Sequence, residues 1–282
     1  MVPLAALILV IGAERAHASL TLAHGATSVE PMSQAQAPAS TAKPQTPLPA
    51  GGEAQAAEYE SLSTAFNKAQ TAYYEPYSKA QSDEERQKIQ LDPEQHPVKI
   101  FTPKFEDLAH RADGTLVGLK CWIWIVKHPD NSTSKAAPRA VDALTSRYLE
   151  AEELTELASY LRYAGYPLGK DVVQRTLQLL IEKSPHKSVR AQATCSLAYG
   201  LLEESDGTGS ARERAHELFV KVTSDYPDTK AAKQAERGLF ELDHLQIGMT
   251  VPDIEGTDVD GAAFKLSEYR GKVVVLDFWG NW

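Results

Sequence analysis

Two thiols are the first groups that could do chemistry in this chain, Cys121 and Cys195. They stand far apart, and no Cys-x-x-Cys occurs within the 282 residues, which excludes a local dithiol, a zinc pair of that spacing and a disulfide-stapled scaffold. Cys121 lies in the apolar stretch 116–126 beside Trp122 and Trp124, and Cys195 stands one helical turn from Ala191 and Tyr199. Both settings predict small buried hydrophobes rather than nucleophiles, and the tryptophans read as core. His216-Glu217 opens like a zinc-protease motif but has no histidine four positions on, and the other histidines, at 17, 24, 96, 110, 128, 186 and 244, are scattered singly. No metal and no cofactor are expected. Asn131-Ser132-Thr133 fits a glycosylation acceptor, a short pattern that also arises by chance. One carboxylate stands out: Asp277 interrupts the apolar run 273–278, and a carboxylate buried in such a run is costly without a partner or a task.

The composition bounds what can position these groups. Hydrophobic residues at 43% against 24% charged describe a core-forming protein of one large or two ordinary domains. With 29 Lys+Arg against 38 Asp+Glu, the net charge is -9, and no basic block is interleaved with aromatics. Nucleic acid and anionic membrane surfaces are therefore excluded as expected partners.

The apolar run from Leu4 to Ala13, followed by small residues at Ala16 and Ala18, reads as a signal peptide cleaved after Ala18. It falls short of the about 20 apolar residues a membrane-spanning helix needs, and no basic residue precedes it. Export to a periplasmic or extracellular location follows, with membrane contact only through export. Residues 19–57 are rich in Ala, Pro, Gln, Ser and Thr, with Pro31, Pro38, Pro44, Pro47 and Pro49 and few large apolar side chains, so a flexible linker is expected.

Residues 58–245 read as a helical domain. Tyr59, Leu62, Phe66, Ala69 and Tyr73 share one face of a helix ending near Glu75-Pro76, and a polar helix is expected over 77–91, with 83–86 as a solvated charge run. Residues 101–110 look helical. The apolar stretch 116–126 fits strand or helix by periodicity, and its helical neighbours favour helix. Helical periodicity also marks 140–149, 152–163 and 171–183. From Val172 the chain repeats with a spacing of 42: Leu177 with Phe219, Leu180 with Val222, Pro185 with Pro227, Ala193 with Ala235, Leu197 with Leu239. The stretch Ala215-His216-Glu217-Leu218-Phe219 to Tyr226-Pro227-Asp228, with Ala231 and Ala235, resembles a tetratricopeptide (TPR) hairpin. The resemblance implies a solenoid-like array, either binding another protein on its free face or serving as a spacer.

Residues 246–282 change texture. A hairpin turn is expected at Asp260-Gly261, followed by Phe264 and Leu266 on alternating positions, a helical turn at 267–270 capped by Ser267 and closed by Gly271, and a central strand over 273–278 buried on both faces. Gly248, Pro252-Asp253, Asp260-Gly261 and the continuous run from Leu266-Ser267 through Tyr269-Arg270-Gly271-Lys272 to Asp277-Phe278-Trp279-Gly280-Asn281-Trp282 resemble the opening of a thioredoxin-like redoxin. That superfamily includes the alkyl hydroperoxide reductase and thiol-specific antioxidant proteins, and the ending is most similar to its exported thiol-disulfide reductases. The resemblance covers about the last 38 residues.

The resemblance implies that Asp277 corresponds to the proton-relay carboxylate, and that Trp279 and Trp282 flank a Cys-x-x-Cys expected immediately after Trp282. In such enzymes the first cysteine sits at a helix N-terminus that favours its thiolate, and the second resolves the mixed disulfide. The expected architecture is thus mostly α, a TPR-like array followed by a truncated α/β thioredoxin-like segment, inactive in dithiol exchange as it stands. The implied partners are protein disulfide or dithiol substrates or a redox partner protein. A non-enzymatic helical-repeat scaffold is the alternative, and a peroxiredoxin-like peroxidase comes third.

Overall fold

The computed structural model describes residues 47–129, 135–204, 209–258 and 260–277, with Tyr166 and Glu204 placed by their backbone only. The expected signal peptide and most of the expected linker lie outside these residues, as does Asn131-Ser132-Thr133. The described chain is mostly α, with one two-stranded sheet. It divides into two compact units whose described parts are 47–239 and 240–277.

The larger unit opens with α1 (Glu53–Lys79), which starts before the expected onset at Glu58. The residues ahead of it are docked: Leu48 packs on the core, and the Leu116 amide donates to the Pro49 carbonyl at 2.9 Å. Gly51 has φ +95, and a Cβ there would fall 2.9 Å from Val117 Cγ2, so the turn into α1 requires glycine. The Gln55 side chain accepts from the Gly52 amide and donates to the Arg111 carbonyl, tying the first turn to α3 (Pro97–Arg111).

Of the expected face of α1, Phe66 is buried and Tyr59, Leu62 and Ala69 pack against the core, whereas Tyr73 lies outside that cluster and its hydroxyl donates to the Asp92 carbonyl. The expected end of α1 does not hold: the helix runs through Pro76 to Lys79. Proline removes one N–H, yet its carbonyl still accepts the Ala80 amide at 3.2 Å, and a Glu75–Lys79 ion pair spans the last turn. The polar helix expected over 77–91 shrinks to α2 (Asp83–Lys88), because Ser82 caps it by accepting the Glu85 amide and the acidic run forms its first turn.

The stretch containing Cys121 is helix α4 (Leu116–Lys127), started by Thr115 Oγ1 accepting the Gly118 amide. Aromatic rings lock α1, α3 and α4 together. Phe105 stacks on Trp124 with centroids 3.8 Å apart, and Phe66 meets Phe101 and Trp124 edge-on. Next come α5 (Ala136–Arg147) and α6 (Leu154–Leu161). Tyr148, buried after α5, accepts from the Gly114 amide and donates to Asp113, which pairs with Arg147. A Cβ on Gly118 would lie 2.3 Å from the Ala112 carbonyl oxygen and 2.7 Å from the Tyr148 hydroxyl, so α4 passes this junction only with glycine.

A short α7 (Gly165–Leu168) precedes two successive helical hairpins: α8 (Lys170–Lys183) with α9 (Lys187–Glu204), and α10 (Gly209–Asp225) with α11 (Lys230–His244). The helix α9 packs against α6, α8 and α10. Residues 42 apart occupy matching places: Leu177, Phe219, Leu180 and Val222 are all buried, as are Ala193 and Ala235, and Pro185 and Pro227 both sit in the turns.

The smaller unit takes in the end of α11 and a hairpin of β1 (Glu255–Thr257) and β2 (Ala263–Lys265). The strands pair antiparallel in the register Glu255↔Lys265, Gly256↔Phe264, Thr257↔Ala263. The turn at Asp260-Gly261 is as expected: Gly261 has φ +83, and Asp258 accepts from the amides of Asp260 and Ala262. A 3-10 turn, Leu266–Tyr269, follows, and Gly271 has φ +84.

Residues 272–277 form no regular strand, which corrects the expectation of a buried central strand over 273–278. A central strand needs a hydrogen-bonded neighbour on each side, and among the described residues β1 and β2 pair only with each other. Val273 and Val275 are each 71% exposed.

Candidate functional site

The Asp253 side chain organises the redoxin-like segment. One carboxylate oxygen accepts from the Ser267 amide at 2.8 Å and the Ile254 amide at 3.1 Å, and the other accepts from the Ser267 hydroxyl at 2.7 Å. These bonds hold the Asp253 carboxyl below its ordinary value, the Ser267 hydroxyl and amide contributing most. Ser267 thus bridges back to Asp253 rather than capping its own turn, for which no side-chain cap forms. The Leu266 amide donates to the Ile254 carbonyl at 2.9 Å beside it, and Lys265 pairs with Glu255 across the hairpin. The clip joins the Pro252-Asp253 and Leu266-Ser267 parts of the motif, fixing where the chain departs toward Asp277.

Asp277 itself is solvent-exposed rather than buried in a strand. Trp279 and Trp282 lie outside the described residues.

The two thiols belong to the helical unit and are both fully buried. Burial pushes Cys121 up to about 12, with the Glu58 carboxylate adding to the effect and Arg111 opposing it. Burial likewise pushes Cys195 up to about 12, against a weaker pull from Arg162, and its Sγ lies 3.8 Å from Gln234 Oε1. Thiols pushed this far up by burial stay protonated at neutral pH, which disfavours both as nucleophiles or exchange partners. Trp122 and Trp124 are core residues. Among the described residues no group of three His, Cys, Asp or Glu side chains is placed to hold a metal ion, and no helix is long and apolar enough to cross a membrane.

Other arrangements were not anticipated from the sequence. Gln192, buried, donates to Gln234 Oε1 at 3.2 Å, joining the second helices of the two hairpins at positions 42 apart. Extending the repeat comparison to polar positions would have found this pair. A cleft beside Arg162 and Tyr199 had no such signal, because its lining comes from four separate helices.

No family model matches the chain, and no solved structure matches it. Its similarities among curated proteins are partial. Over 38 residues it is 53% identical to the thiol-disulfide oxidoreductase ResA of Geobacillus kaustophilus (strain HTA426), which is 14% of this chain and 22% of that protein. The ResA of Geobacillus thermodenitrificans (strain NG80-2) is 47% identical over 38 residues, with the same coverage. The ResA of Bacillus anthracis is 38% identical over 47 residues, 16% of this chain and 27% of that protein. These matches support a thioredoxin-like redoxin segment. The chain spans about a quarter of the length of the curated relatives it matches.

Proposed function

We propose that this chain belongs to an exported thiol-disulfide oxidoreductase of the redoxin type, in which the helical unit accompanies a catalytic domain that begins near Gly248. The observation that carries this reading is the partial identity with ResA proteins, over a length equal to that on which the sequence resemblance rests. The Asp253–Ser267 clip adds a physical argument, because it gives the matching motif residues a shared structural task. In this reading Asp277 is the proton-relay carboxylate, and Trp279 and Trp282 flank the dithiol, which residues beyond Trp282 supply. The substrates are protein disulfides or dithiols.

Cys121 and Cys195 are not that dithiol: they sit in a different unit, buried and protonated. Reduction of insulin disulfides provides the test. The 282-residue chain is expected to show no activity, and a chain extended through a following Cys-x-x-Cys is expected to show it. An extended chain with both cysteines and no reductase activity would overturn the proposal.

A second reading is favoured by the helical hairpins. Their 42-residue spacing, matched burial and the Gln192–Gln234 bond support a TPR-like array that binds a protein, with the redoxin segment as an appendage. Under this reading the extended chain captures a partner through α8–α11 whether or not its cysteines are replaced by serine.

A further inference from the structure

A cleft of about 530 Å³ opens in the helical unit where the end of α6, α7, the first turns of α8 and the C-terminal half of α9 converge. Its size falls within the roughly 300–1,000 Å³ of small-ligand sites. Leu161, Val173, Leu197 and Leu201 give it apolar walls. At Gly200, inside α9, an added Cβ would meet nothing within 4 Å, so this wall faces open space rather than packed protein.

One ordered cation stands against this apolar surface. The Arg162 guanidinium lies 3.5 Å from the centroid of the Tyr199 ring, a close cation–π contact. Tyr199 is itself fixed, its hydroxyl donating to the Gln234 carbonyl at 2.9 Å and its ring meeting Phe219 edge-on at 4.8 Å. The charge is therefore held in place before any ligand arrives, which lowers the entropic cost of binding.

The arginine is also incompletely satisfied. Its Nε is buried and has no hydrogen-bond partner among the described residues, and it forms only a longer ion pair with the Glu203 carboxylate at 3.5 Å. The side chain as a whole remains 28% exposed. The lining carries two basic residues, Arg162 and Lys170, and one acidic residue, Glu203, so a ligand with a single anionic group meets less repulsion from Glu203 than a dianion does.

We propose that this cleft binds a small organic monocarboxylate with an aliphatic body, its carboxylate at Arg162 and its hydrocarbon against Leu161, Val173 and Leu201. The site is independent of the redoxin segment and of either reading of the chain's function.

Calorimetric titration of the full chain with octanoate tests this, with octanol, octylammonium and inorganic phosphate as controls. Octanoate is expected to bind saturably with one-to-one stoichiometry, about tenfold more tightly than octanol, while octylammonium and phosphate do not bind. Arg162→Gln is expected to weaken octanoate binding by about tenfold. Gly200→Leu is expected to abolish it by filling the cleft, while the leucine favours the helix and keeps the fold, as circular dichroism would show. If Arg162→Gln fails to fold, Gly200→Leu decides alone. The proposal is overturned by absent octanoate binding, by octanol or phosphate binding as tightly as octanoate, or by full octanoate affinity in Gly200→Leu.

Discussion

The helical unit and the C-terminal unit solve opposite problems. In the first, aromatic rings of α1, α3 and α4 interdigitate, and bulky side chains such as Trp122, Tyr148, Phe66, Phe105 and Phe219 are fully enclosed. In the second, order rests on a short ladder and one carboxylate clip, while Val273 and Val275 point to solvent. The informative sequence motif lies in the less buried unit. A motif can thus carry lineage without carrying stability, and stability without a motif can come from unremarkable apolar periodicity.

Substitutions can sharpen or break this contrast. Phe105→Ala, which empties the position stacked on Trp124, is expected to destabilise the helical unit by about 3–5 kcal/mol in thermal unfolding followed by circular dichroism. Gly118→Ala is expected to cost about 1–3 kcal/mol, because its methyl group meets the Ala112 carbonyl. Val275→Ser should change stability by less than about 0.5 kcal/mol, as for other exposed positions. If the valine change cost as much as the phenylalanine change, the described contrast between the units would fail.

The smallest expected effect is local and pH-dependent. The folded-state value of Asp253 lies below its ordinary 3.8, so the clip's contribution is present above that value and is lost as pH falls through the lowered folded value. The protection factor of the Ser267 amide, its exchange relative to the intrinsic rate at each pH, should fall as Asp253 protonates, and Asp253→Asn should remove most of that dependence. A protection factor at Ser267 that stays flat through the acid range in the unsubstituted chain would show that the carboxylate does not hold the turn.

Much of this was legible because it follows from local chemistry. The 3.6-residue spacing of Tyr59, Leu62, Phe66 and Ala69 marked a buried helical face, Asp260-Gly261 marked the hairpin turn, and repeated apolar and proline positions marked the two helical hairpins. The errors came where local rules compete. Pro76 ended a helix on paper, yet its carbonyl still accepts a bond and α1 continues to Lys79. The run 273–278, described as far as 277, read as a buried strand because apolar composition reports a preference for burial, while strand formation needs neighbours that composition does not specify. Ser267 looked like a cap by position, and only the folded chain shows Asp253 within reach of its hydroxyl. The Arg162 cleft was invisible because long-range packing alone brings Arg162 against Tyr199.

If the proposed function is right, the helical unit does no thiol chemistry, which belongs instead to the domain that the C-terminal segment resembles. Mass-spectrometric labelling of the native chain with iodoacetamide at neutral pH, followed separately at Cys121 and Cys195, tests it most directly. Both thiols are expected to react only as fast as the helical unit unfolds, with labelling becoming rapid in denaturant. Fast labelling of either cysteine in the native protein would contradict the claim and make the helical unit itself a redox site.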